Sequence, residues 1–81
     1  MARVSGQADG ERQLKRLGEA VRAARKAKGL SQEALADVSG IDRSHMGKIE
    51  RGERNVTLMN LLRIAKALGR RASDVLKDAG L

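Results

Sequence analysis

Glycines at 29, 40, 52 and 69 cut this 81-residue chain into short stretches, and no proline interrupts any of them. Within each stretch apolar residues recur every three or four positions, as a helix with one buried face requires. Leu14, Leu17, Val21 and Ala24 mark that stripe on a first helix predicted from Glu11 to Lys28. Ser31 is placed to cap a second helix, Gln32 to Ser39, that carries Leu35, Ala36 and Val38. Asp42 is placed to cap a third, Arg43 to Arg51, whose inner face is Met46 and Ile49. Thr57 caps a fourth, Leu58 to Leu68, with a broad apolar face of Leu58, Leu61, Leu62, Ile64, Ala65 and Leu68. A last short helix, Ala72 to Ala79, holds Val75 and Leu76, and no stretch alternates as a strand would. Helices this short are marginal in isolation, so all five must share one core, and the fold class expected is all-α. Gly18 lies inside the first helix at a cost of about 1 kcal/mol relative to Ala, which implies close approach by another helix. Residues 1–10 show no apolar periodicity and read as a flexible tail ahead of a single domain at 11–81.

Charge and missing residue types narrow the function. Lys and Arg number 17 against 10 Asp and Glu, giving a net charge of +7. Phe, Trp and Tyr are absent, which argues against readers of single strands that stack bases on aromatic rings. The phosphate rails of a duplex are the better match to the charge. With no Cys and one His, His45, thiolate chemistry and multi-His metal centres are excluded, and no cofactor is implied. Asp37, Asp42, Glu50 and Glu53 do not form a paired acid and base, and no nucleophile elbow or phosphate loop is present, so an enzyme is not expected. No apolar run approaches the ~20 residues of a membrane helix, and no secretory signal is seen. A soluble, cytoplasmic protein without a membrane partner is the expectation.

The segment Gln32 to Ile49 carries the function. Two short helices meet at a tight turn centred on Gly40, where the backbone needs a residue that accepts positive φ. Ala36 must be small because the second helix crosses close over it, and Leu35, Ile41, Met46 and Ile49 clamp the pair. This is the geometry of a helix-turn-helix whose second helix enters the major groove; an ordinary helical hairpin is the bland alternative. Arg43, Ser44, Gly47 and Lys48 lie on the outer face of that second helix. Arg43 is the leading candidate for base readout, since a guanidinium contacts guanine O6 and N7 together. Ser44 and Lys48 join it, against the alternative of a solvated polar face. His45 is read as a base or phosphate contact or as a partly packed surface histidine. Gly47 either lets a backbone come close or is merely tolerated. Arg51, Arg54 and Asn55 follow the helix and are placed to hold phosphates, and the free N–H groups at Ser31 and Gln32 suit an anion. Arg12, Lys15, Arg16 and Lys77 read as a solvated face that steers toward DNA, while Arg70 and Arg71 are open to either role.

From Leu17 to Leu76 the chain resembles the Xre/Cro family, the helix-turn-helix domain of lambdoid phage repressors and their bacterial relatives. The resemblance rests on Arg25 with Gly29-Leu30-Ser31-Gln32, on Leu35-Ala36, Gly40-Ile41 and Ile49-Glu50-Arg51-Gly52, and on the run Leu61 to Gly69. Val56 stands where the family commonly has Pro. Asp42-Arg43-Ser44-His45 and Arg54-Asn55-Val56-Thr57-Leu58 resemble the controller proteins of restriction-modification systems, which are similarly short and dimeric. The resemblance implies a compact five-helix, lambda-repressor-like fold, a phosphate contact from Gln32, and a partly buried ion pair of Arg25 with Glu50 that orients the two helices. It implies a transcription regulator that binds a pseudo-palindromic operator as a homodimer and blocks or recruits RNA polymerase. The symmetric contact must come from outside the motif, and Leu62, Val75, Leu76, Ala79 and Leu81 are its candidates, with completion of the monomer core as the alternative. Two other readings stand beside this one: an antitoxin-type interaction module that also binds DNA, and a nonspecific duplex binder.

Overall fold

Capping side chains and the turn glycines set most of the helix ends. A computed structural model of the chain describes residues 6–81, with side chains from residue 10 onward. It has helices α1 (Gly6–Ala27), α2 (Gln32–Ser39), α3 (Arg43–Glu50), α4 (Leu58–Ala67) and α5 (Ala72–Asp78), and no strand among the described residues. Ser31 Oγ accepts the Ala34 N–H at 3.0 Å, Asp42 Oδ2 accepts those of Ser44 and His45, and Thr57 Oγ1 accepts that of Asn60 at 3.1 Å. Each of these oxygens satisfies N–H groups that have no partner inside the helix.

The first helix starts earlier than its apolar stripe suggests. Residues 6–10 belong to α1 and not to a free tail; the rest of the expected tail, residues 1–5, lies outside the described residues. Once a helix is nucleated, each added residue gains a hydrogen bond at little further cost, and no proline stands in the way. At the other end α1, α3, α4 and α5 each finish one residue short of the expectation, which is within ordinary fraying.

The core gathers Leu17 and Val21 of α1, Leu35 and Ala36 of α2, Met46 and Ile49 of α3, Leu61, Ile64 and Ala65 of α4, and Val75 of α5, joined by Ile41 and Leu68. α1 packs on α3 and α5, while α2 packs on α3 and α4. Two expectations on faces are corrected. Leu58, placed on the apolar face of α4, is 67% exposed, and Leu62, counted on that face and also among the candidates for a symmetric contact, is 43% exposed as the second role requires: the apolar stripe is wider than the contact surface that α2 and α5 offer. Gly47, placed on the outer face of α3, is buried beneath the Gln32 and Arg51 side chains.

Two glycines bring the C-terminal end of α3 onto the backbone of α1. A methyl group added at Gly18 would strike the carbonyl oxygens of Ile49 and Glu50, and one at Gly52 would lie 2.6 Å from Lys15 Cα. Gly52 also takes φ +74°, which any side chain would oppose. The contact is backbone against backbone, so no rotamer can relieve a clash. Gly18→Ala is therefore expected to destabilise by about 1–3 kcal/mol through overpacking, although alanine is the better helix former. Gly10→Ala, with nothing within 4 Å, is not expected to destabilise. Denaturant midpoints of the two variants check the contrast; a Gly18→Ala protein as stable as wild type would contradict the close approach.

Candidate nucleic-acid interface

The turn between α2 and α3 is closed by backbone alone. Gly40 takes φ +71°, its N–H donates to the Asp37 carbonyl at 3.2 Å, and the Ile41 N–H donates to the Ala36 carbonyl at 2.9 Å. This left-handed stop satisfies the last carbonyls of α2 and turns the chain at once into α3. Asp42 then fixes where α3 begins. Its Oδ2 accepts the Ser44 hydroxyl at 2.7 Å as well as two backbone N–H groups. The Ser44 hydroxyl, with the His45 N–H next, holds the Asp42 carboxyl below its ordinary value. The cap therefore stays ionised and at full strength at neutral pH.

From this start α3 presents Arg43 and Ser44 to solvent, with Lys48 half-buried one turn further along. Arg43 Nη1 lies 3.6 Å from Glu33 Oε2 on α2, both side chains about two-thirds exposed. Such an open pair is weak and breaks readily when a better acceptor arrives. His45 is set apart from its neighbours. It is half-buried, its Nε2 is shielded from solvent without a hydrogen-bond partner, and it lines a small cleft with Gly40, Ile41, Asp42 and Asn60. The structure thus groups Arg43, Ser44 and Lys48 and turns the ring of His45 toward the start of α4.

The residues expected at phosphates lie at the start of α2 and just after the end of α3. Arg51, Arg54 and Asn55 are exposed in the connection after α3. Arg51 donates from Nε to Glu53 Oε2 at 3.0 Å, and that bond holds the Glu53 carboxyl below its ordinary value. Ser31 is exposed and engaged as the cap of α2. Gln32 donates from Nε2 to Glu50 Oε1 at 3.1 Å.

Beneath them lies the pair of Arg25 and Glu50. Arg25 Nε donates to Glu50 Oε2 at 2.7 Å and Nη2 to Oε1 at 3.0 Å, while Nη1 reaches the Leu30 carbonyl at 2.9 Å. Only 9% of Arg25 and 6% of Glu50 are exposed. Two parallel charge-assisted bonds fix the relative orientation of α1 and α3, and the Gln32 amide adds the start of α2 to the same carboxylate.

The residues expected at a symmetric contact divide. Val75 and Ala79 are buried in the monomer, at 1% and 7% exposure, and so leave the candidate interface: α5 turns them onto α1 and α4. Leu76 is half-buried against the core, whereas Leu62 and Leu81 remain exposed. Leu58 and Met59 are exposed on α4 as well; the periodicity that assigned Leu58 to the core could not show which part of a broad stripe goes uncovered. Arg70 donates to Asp78 at 2.8 Å and so ties the start of α5 to its end. Among the described residues no cluster of His, Cys, Asp or Glu is arranged to hold a metal ion, and no helix is long and apolar enough to cross a membrane.

Comparison with known proteins agrees with this geometry. The chain matches the family model Helix-turn-helix (HTH_3) over residues 21–75. It is 48% identical over 65 residues to Control protein C.SmaI of Serratia marcescens, covering 80% of this chain and 77% of that protein. It is 45% identical over 60 residues to Control protein C.BamHI of Bacillus amyloliquefaciens, covering 73% and 74%. The crystal structure of the restriction-modification controller protein C.AhdI from Aeromonas hydrophila superposes with a TM-score of 0.75 at 50% identity, covering 76% of this chain and 94% of that one.

The buried pair makes a directional prediction. Glu50→Ala leaves a buried guanidinium without its partner and is expected to cost about 3–5 kcal/mol. Replacing both residues, as in Arg25→Met with Glu50→Leu, is expected to recover much of that loss in stability while loosening the angle between α1 and α3. Thermal and denaturant unfolding of the single and double variants measure it; a Glu50→Ala protein within about 1 kcal/mol of wild type would contradict the assignment.

Proposed function

The chain belongs to the Helix-turn-helix family, and from that premise we propose that it acts as a homodimeric controller of restriction-modification genes on a pseudo-palindromic operator. It is a DNA-binding transcription regulator and not an enzyme. The observation that carries the finer reading is the start of α3. Asp42 caps it so that Arg43 and Ser44 are exposed, held only by surface contacts to Glu33 and to Asp42 itself, with the exposed donors of Arg51, Arg54 and Asn55 just beyond its other end.

On this reading α3 enters the major groove by its N-terminal half. Arg43 leaves Glu33 and donates two hydrogen bonds to guanine O6 and N7, a pattern presented there by no other base. Ser44 and Lys48 contact neighbouring base edges or phosphates, and His45 holds the cleft beside α4 more than it reads a base. Ser31, Gln32, Arg51, Arg54 and Asn55 contact the sugar–phosphate backbone and set register without reading sequence. Arg25 and Glu50 act at one remove, through the angle of α3.

A domain of this size spans only a few base pairs, so a second copy is needed for an operator. The exposed Leu58 and Leu62, one helical turn apart on α4, and Leu81 after α5 offer the apolar surface for it. Output then follows protein concentration, dimerisation and operator affinity, with the bound dimer blocking or recruiting RNA polymerase in the cytoplasm.

Selection from a random duplex library at fixed salt tests the proposal. The recovered sequences are expected to contain two inverted half-sites with centres about one DNA turn, roughly 34 Å, apart. Arg43→Ala is expected to relax one position in each half-site at a cost of ~1–3 kcal/mol, and Arg54→Ala to weaken all sequences alike. A selected motif that Arg43→Ala leaves unchanged would overturn the readout, and a single unrepeated half-site would overturn the dimer.

A further inference from the structure

Beside α3 lies a cleft of about 240 Å³ lined by Arg22, Arg25, Gln32, Glu50 and Arg51. We propose that it seats one backbone phosphate of the duplex, and that Arg22 is the contribution of α1 to DNA binding. The inference rests on α3 being the recognition helix and adds a third element to its backbone grip.

The floor of the cleft is electrically spent. Glu50 receives three hydrogen bonds, two from Arg25 and one from Gln32, so its charge is answered within the protein. The walls are not spent. Arg22 lies one turn before Arg25 on α1, is exposed, and has no hydrogen bond or ion pair within the described structure. Arg51 is held by Glu53 through Nε and Nη2, which leaves Nη1 uncommitted. Gln32 is the first residue of α2, where backbone N–H groups point outward. The four charged side chains lining the cleft sum to +2. The volume is several times the roughly 30 Å³ share of a water molecule, enough for a phosphodiester group.

Gly47 places the cleft beside the base-reading face. A methyl group there would come within 3.2 Å of both Arg51 Nη1 and Gln32 Oε1. With only hydrogen at that position, the two side chains close over α3 and carry the wall of the cleft to the edge of its DNA-facing surface. A strand whose bases meet Arg43 and Ser44 then runs its backbone past Gln32 and Arg51 toward Arg22.

The test scans the phosphates around a selected half-site with single neutral methylphosphonates, using wild type, Arg22→Ala, Arg22→Lys and Arg54→Ala. Arg22→Ala is expected to weaken every duplex about threefold or more and to lower the slope of log affinity against log salt by about 0.9. Base preference and melting temperature stay at wild-type values. At one phosphate the wild type loses affinity on neutralisation and Arg22→Ala loses no more; Arg22→Lys keeps the salt slope. Wild-type affinity and slope in Arg22→Ala would overturn the inference, as would losses that add at every phosphate, or a lowered melting temperature that makes Arg22 structural. If Arg54→Ala weakens binding and Arg22→Ala does not, the inference fails alone. If no variant differs from wild type, the phosphate contacts proposed beside α3 fail with it.

Discussion

One carboxylate holds three helices in register. Glu50, the last residue of α3, is gripped by Arg25 from α1 and by Gln32 from the start of α2. Burying two charges is costly, and their attraction does not by itself make the fold more stable than a well-packed apolar pair would. What the pair supplies is direction. Hydrophobic contacts among Leu17, Val21, Met46 and Ile49 tolerate small rotations of α3, whereas two parallel hydrogen bonds do not. The glycine contacts act with it: Gly18 and Gly52 allow the end of α3 to lie on the α1 backbone, close enough for the Arg25 side chain to reach Glu50. A helix that is to read base edges needs a fixed angle, and that of α3 is set at the end farther from Arg43.

Carboxylates also condition the face proposed to meet DNA. Glu33 lies by Arg43, Asp42 receives the Ser44 hydroxyl, and Glu53 holds Arg51. Each occupies a donor in the free protein through a solvent-exposed contact, which is the kind that exchanges at little cost. Donors are thereby oriented before a duplex arrives, and the net charge of +7 supplies long-range attraction. The bond of Arg70 to Asp78 serves α5 and leaves that guanidinium less available to a phosphate.

Local chemistry was legible in the sequence wherever a single residue decides the outcome. Ser31, Asp42 and Thr57 announce the starts of α2, α3 and α4, because a side-chain oxygen ahead of an apolar run has few other uses. Gly40 announces the turn, and Gly18 an approach that only a missing side chain allows. The partnership of Arg25 with Glu50 came from the family pattern, since no spacing rule joins residues so far apart in the chain. Burial was less legible where an apolar stripe exceeds what its neighbours cover. Val75 and Ala79 went inside, and Leu58 and Leu62 stayed out, because α5 folds onto α1 and α4 at an angle that periodicity does not encode. His45 and Gly47 turned inward for the same reason: a helix of eight residues has faces set by its neighbours. Arg22 was hidden in the polar side of α1, and only the three-dimensional cleft separates it from the other cations there.

The most direct measurement is a map of backbone amide chemical shifts as a duplex carrying the selected operator is added to the protein. The account predicts the largest changes at Arg43, Ser44 and Lys48 and along Arg51 to Asn55, with the buried Val75 and Ala79 scarcely moved. Changes concentrated on α5 and the far side of α1, with α3 silent, would contradict it.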